Sequence, residues 1–126
     1  MISYRADLDG VTEADLAGFF VGWPRPPAPP ARLALLRGSS HVVLAWDEDR
    51  LVGFVTALSD GVLMAYVPLL EVLPEYQGRG IGTALVDRVL GEVGELYGVD
   101  VCCDDDLVPY YARFGFQRVA GMVLRR

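Results

Sequence analysis

Gly78, Gly80 and Gly82 crowd into five residues, between an apolar run ending Val72-Leu73-Pro74 and an amphipathic stretch. In that stretch Ile81, Leu85, Val89, Val93 and Leu96 recur at helical spacing. The order is strand, glycine-rich turn, helix. Pro74 stops the strand because it has no N–H to donate. The first turn of a helix carries backbone N–H groups without partners, and the helix dipole adds partial positive charge there. Glycines remove the side chains that would hold an anion away. The chemistry on offer is a cradle for a pyrophosphate. A structural strand–helix turn is the plainer alternative, although three close glycines would then only weaken the helix start.

Two phosphate motifs are excluded. A P-loop needs Lys-Ser/Thr after its last glycine, and Ile81-Gly82 follow Gly80. In the dinucleotide pattern G-x-G-x-x-G the third glycine would fall on Thr83 or Leu85, so both registers fail. What fits is Gln77-x-x-Gly80-x-Gly82 after a strand and before a helix. This resembles the acetyl-CoA-binding motif Q/R-x-x-G-x-G/A of the GNAT superfamily of N-acetyltransferases. Further on, Pro109-Tyr110-Tyr111-Ala112-Arg113-Phe114-Gly115-Phe116 resembles the family's Y-x-x-x-G-F element. The resemblance covers about His41 to Arg126, and the first forty residues match only in pattern.

The resemblance implies acetyl-CoA as cosubstrate and a mixed, mostly antiparallel sheet flanked by helices. In such a fold the fourth and fifth strands splay apart and pantetheine lies between them. Carried over residue by residue, the backbone at Val72 and Leu73 would bond pantetheine, with an N–H near Val72 polarising the thioester carbonyl. Backbone groups of Gln77, Gly78, Arg79, Gly80, Ile81, Gly82 and Thr83 would hold the pyrophosphate. Tyr111 matches the family's frequently catalytic tyrosine, and packing against the core or cofactor is the alternative. Tyr110, one step round the helix, should point elsewhere. Transfer to an amine also needs a group to take the ammonium proton, whose pKa is near that of lysine, about 10.4. Glu71 is the candidate. A lone carboxylate in an apolar strand is costly to bury, so it should line water or a pocket, where desolvation raises its pKa. A solvated or arginine-paired strand glutamate is the alternative. His41, the only histidine, starts a strand far from the motifs and reads as a polar bystander.

These groups must be positioned by an alternation of strands and helices, an α/β (α+β) pattern. Ile2 to Arg5 reads as a strand, and Thr12 with Asp15 opens a helix over about Glu13 to Gly22. Trp23 to Pro30 holds five prolines and should be an extended connector into a second helix through Leu36. His41–Trp46, Leu51–Leu58 and Val62–Val72 form a meander, with Pro68 marking a bulge or an unpaired position. The glycine-turn helix should run to Tyr97 and stop at Gly98. Val99–Cys103 reads as a buried strand, Leu107–Phe114 as the last helix and Gln117–Leu124 as a closing strand.

At 126 residues, with 52% hydrophobic residues, one domain over 1–126 is expected. A net charge of −6 argues against nucleic acid and favours cationic partners such as amines. No apolar run reaches membrane-spanning length, and MISYRADLDG has no signal-peptide core. Adjacent Cys102 and Cys103 should point to opposite faces of a strand, as buried thiols in a reducing cytoplasm. Asp104-Asp105-Asp106 suit a helix N-terminus, and no metal is expected. The resulting expectation is an N-acetyltransferase acting on a small-molecule amine by direct transfer in a ternary complex. A non-catalytic acyl-CoA-sensing module and a protein-lysine acetyltransferase are the alternatives, and edge strands would allow a homodimer.

Overall fold

Val52, Phe54, Val55 and Ala57 are fully buried although they alternate between the two faces of one strand. That strand must be covered on both sides. In the computed structural model, which describes residues 1–126, it is the centre of a five-stranded sheet. The strands are β1 (Ile2–Arg5), β2 (His41–Asp47), β3 (Arg50–Ser59), β4 (Met64–Val72) and β5 (Gly98–Val101), in the spatial order β1-β2-β3-β4-β5. All pairings are antiparallel except β4 with β5. A parallel pair needs a crossover, and helix α2 (Ile81–Val93) supplies it. α2 packs across β2, β3 and β4 through Ile81, Leu85 and Val89. The other face of β3 is covered by the segment 16–20, where the Phe19 ring meets Phe54 edge-on at 5.1 Å. Helix α1 (Pro29–Gly38) packs on that segment, with two prolines at its first positions, where a missing N–H costs nothing.

The expected splay is present and has a local cause. The β4–β5 pairing runs from Met64↔Gly98 to Val67↔Val101 and stops. The β3–β4 register shifts in the same place, between Thr56↔Leu69 and Leu58↔Tyr66, so β4 bulges around Pro68. A bulge bends and twists its strand. β4 then continues to Val72 with nothing paired along its outer edge.

Five expectations are corrected. The first helix is only a short 3-10 turn, Glu13–Leu16. Asp15 Oδ2 accepts from the Thr12 N–H at 2.9 Å and starts it as expected. It cannot continue, because Phe20 turns to φ +64° and Gly22 to +80°. α2 stops at Val93 rather than Tyr97, because Gly94 already takes φ +77°. The last helix, α3, is limited to Val108–Ala112. Gln117–Leu124 forms no strand: β5 is four residues long, Gly121 interrupts the run, and Val119, Met122 and Leu124 are exposed. Because β5 ends at Val101, Cys102 and Cys103 lie beyond it, and both are exposed instead of buried. No helix is long and apolar enough to cross a membrane.

Candidate active site

The outer edge of β4 is the first element of the site. The Leu73 N–H bonds the Val52 carbonyl at 2.9 Å, so it is engaged in the sheet. Backbone groups alternate sides along a strand. Leu70 and Val72 therefore turn their N–H and C=O away from β3, into the space β5 has vacated. The Val72 carbonyl accepts one bond there, from Gln77 Nε2 at 3.1 Å. The motif glutamine thus ties the glycine turn to the strand end.

The turn is the second element. Gly78 and Gly80 sit at φ +78° and +80°, a conformation side chains rarely adopt. Space beside both is open, with no heavy atom within 4 Å of where a Cβ would stand. Gly80 immediately precedes α2, and no acidic residue occupies the first turn of that helix. Arg79 does not project freely. It lies 4.7 Å from the Tyr76 ring centre and donates to the Glu75 carbonyl at 3.1 Å. Tyr76 is itself fixed, its hydroxyl donating to Asp47 Oδ2 at 2.6 Å, which lowers the Asp47 pKa.

The third element is the Tyr110–Tyr111 pair of α3. Tyr110 was expected to face elsewhere, yet its hydroxyl reaches the first turn of α2. It lies 3.4 Å from Thr83 Oγ1 and 3.3 Å from the position of a Cβ on Gly82, so Gly82 makes room for it. Tyr111 is buried, with its ring edge-on to Tyr110 at 5.1 Å and to Phe116 at 5.8 Å. Burial, then the neighbouring Tyr110 and Cys103, push its pKa up to about 12.

Glu71 is the fourth. Its side chain is half-buried on the face of β4 opposite α2, where the Phe20 N–H donates to Oε1 at 2.8 Å. Burial raises its pKa, opposed by that bond, by the Trp23 indole and by the charge of Arg32. Arg32 holds the arrangement together. Its Nε donates to the Pro27 carbonyl at 2.9 Å, and its Nη1 to the carbonyls of Leu16 (2.9 Å), Ala17 (3.1 Å) and Phe19 (3.3 Å). Its guanidinium also stacks 5.1 Å from the Phe20 ring centre. No sequence signal joins Arg32 to Phe20 and Glu71, because the contacts span different segments. A positive charge one turn into a helix that follows five prolines was the only hint.

Glu71, Val72 and Gln77 line one cavity of about 350 Å³, and Phe19 and Val21 are among its other walls. Tyr111 is not among its walls. His41 lies in a different, smaller hollow of about 170 Å³ with Arg37 and Glu92, and shares no wall with Glu71. No cluster of three or more His, Cys, Asp or Glu side chains is arranged to hold a metal.

The family model for the acetyltransferase (GNAT) domain matches residues 24–125. The chain belongs to the GNAT acetyltransferase family. A crystal structure of a candidate acetyltransferase from Deinococcus radiodurans R1 superposes with a TM-score of 0.96 at 49% identity, covering 99% of this chain and 88% of that one. An uncharacterised N-acetyltransferase of Pyropia yezoensis is 28% identical over an alignment of 101 residues that covers 76% of this chain and 58% of that protein. A protein of Glycine max named histone acetyltransferase is 28% identical over an alignment of 111 residues that covers 77% of this chain and 47% of that protein. The chain spans about half the length of these curated relatives.

GNAT proteins generally use acetyl-CoA, and the residues here fit it. The open β4 edge leaves backbone groups that could pair with an extended pantetheine arm. The left-handed glycines leave room for a pyrophosphate at the α2 N-terminus.

Proposed function

We propose that this GNAT protein transfers an acetyl group from acetyl-CoA to the primary amine of a small molecule, directly and in a ternary complex. The observation that carries the reading is the continuity of the unpaired β4 edge at Leu70–Val72 with the glycine turn on one side and Glu71 on the other. Acetyl-CoA supplies an activated thioester. The N–H groups at Gly78 to Thr83 hold its pyrophosphate, and the Val72 N–H donates to the thioester oxygen as charge gathers there. Leu73 anchors the strand instead, since its N–H is bonded to β3. Glu71 takes the ammonium proton, directly or through water, and its raised pKa brings it closer to the working pH.

Tyr111 donates to the departing sulfur. With its pKa pushed up to about 12, the phenol is protonated throughout the working range. Full transfer to a thiolate of ordinary pKa, about 8.5, would be uphill by roughly 5 kcal/mol. Tyr111 therefore acts as a hydrogen-bond donor to developing charge more than as a full acid. Two exposed free cysteines favour a reducing, cytoplasmic setting.

The test combines calorimetric titration of acetyl-CoA with thiol release over an amine panel, for wild type, Glu71→Gln and Tyr111→Phe. Turnover that falls in both variants at little change in Kd is expected. Binding without turnover on any amine would favour an acyl-CoA sensor. Absence of binding would overturn the assignment of the turn.

A further inference from the structure

We propose that the acceptor is a monoamine carried on a compact apolar body, in preference to a polyamine or a hydroxylated amino sugar. This deepens the transferase reading above and rests on it. The cavity at Glu71 is walled by Phe19, Val21, Leu70, Val72 and Pro74, and Glu71 is the only ionisable group among its walls. Its whole volume, about 350 Å³, lies at the small end of ordinary ligand sites, roughly 300–1,000 Å³, and the thioester end of the cosubstrate at Val72 takes a share of it.

The charge pattern of the covering segment points the same way. Between Asp15 and Asp47 the chain has no Asp or Glu, while Arg25, Arg32 and Arg37 fall in that interval. The nearest acid along the turn, Glu75, is 3.5 Å from Arg50 and so already has a cation. One ammonium finds Glu71. A second would find no further carboxylate among the walls and would leave water without a counter-ion, which is costly. Several hydroxyls would likewise meet few partners, because Gln77 is the only other polar side chain of the walls, its amide nitrogen is bonded to the Val72 carbonyl, and the free backbone groups of the β4 edge are those assigned to the cosubstrate.

The mouth supplies the apolar surface. Val21 is 67% exposed and Trp23 43% exposed, although both are large and apolar. Neither position is explained by core packing. The Trp23 indole stands edge-on to Phe20 at 5.2 Å and lies beside Glu71. An amine whose nitrogen reaches Glu71 would lay its body against Val21 and Trp23, replacing exposed apolar surface by contact.

The full chain is assayed with acetyl-CoA against 2-phenylethylamine, cyclohexylmethylamine, spermidine and glucosamine, by thiol release. The two apolar amines are expected to exceed the other two at least tenfold in kcat/KM. Val21→Asp, at an exposed site that leaves the core intact, should narrow the ratio of 2-phenylethylamine to spermidine at least fivefold without changing the acetyl-CoA Kd. Independently of turnover, 2-phenylethylamine should perturb the Trp23 fluorescence of the CoA-bound protein in a Trp46→Phe background, and spermidine should not. Equal or better turnover of spermidine or glucosamine, or a ratio unmoved by Val21→Asp, overturns the inference while leaving the transferase reading intact. Bound acetyl-CoA with no amine acetylated overturns both.

Discussion

Arg32→Met tests whether one side chain positions the loop above Glu71. The substitution keeps the apolar stem and removes the guanidinium, which contacts four carbonyls from two segments. The three Nη1 contacts share two hydrogens, so we count two full charge-assisted bonds, those of 2.9 Å to Pro27 and Leu16. Such bonds contribute about 1.5–3 kcal/mol each, and the lower figure suits a half-exposed group, which gives about 3 kcal/mol in total. For a chain of this size that is a fall in Tm of about 12 °C, at roughly 4 °C per kcal/mol. The loop also carries the Phe20 N–H that bonds Glu71, and Arg32 itself lowers the Glu71 pKa. Loss of both influences raises that pKa further. The acidic limb of the kcat/KM profile should therefore move to higher pH, with the acetyl-CoA Kd unchanged. Melting followed by circular dichroism and a rate profile from pH 5 to 9 read the two effects. Arg32→Lys restores charge without the fork, so it should recover part of the pH shift and little of the Tm. Melting within about 2 °C of wild type together with an unmoved acidic limb would refute the reasoning.

Glu71→Gln should separate stability from activity. The folded-state pKa of Glu71 is raised, so its stabilising contribution is complete below the ordinary value of 4.5 and is lost as pH rises through the folded pKa. A neutral glutamine can still accept the Phe20 N–H. The variant should therefore melt above wild type at pH 7.5 and converge with it near pH 4, while kcat falls about 100-fold. Gly80→Ala, at φ +80°, should lower stability by about 1–2 kcal/mol and weaken acetyl-CoA, and Gly80→Glu should nearly abolish binding by calorimetry. Arg79→Ala should raise that Kd only about twofold, since surface ion contacts are weak and Arg79 rests on Tyr76. Tyr111→Phe should cost about 10–100-fold in kcat with little change in Kd, the value of a hydrogen bond to developing charge.

What the sequence disclosed was what short-range chemistry decides. Pro68 forecasts the bulge because a missing N–H acts at its own position. Gly78 and Gly80 forecast the turn because positive φ is a property of single residues. Thr12 and Asp15 correctly begin a helical turn, three residues apart. The end of that turn is set elsewhere: the Phe20 N–H goes to Glu71, fifty-one residues away, and is not available to continue a helix. The same holds for Gln117–Leu124, whose alternation suits a strand but whose neighbour β5 is too short to offer a ladder. At the site, the glycine turn was legible and the Glu71 surroundings were not. The turn is contiguous in sequence, whereas Glu71, Phe20 and Arg32 meet only through tertiary packing.

Every hydrogen bond of the Arg32 anchor goes to a main-chain oxygen, and its guanidinium stacks on the Phe20 ring. Each of its four acceptors is a carbonyl, from Leu16, Ala17, Phe19 and Pro27, and every residue type provides one. The loop can therefore exchange its side chains without losing its mooring, provided the backbone path is kept. On the proposed acceptor site, preference would in this way be uncoupled from loop placement. Residues such as Val21 and Trp23 become interchangeable fittings on a fixed frame, and a library confined to those positions would explore new acceptors while the scaffold stayed standing.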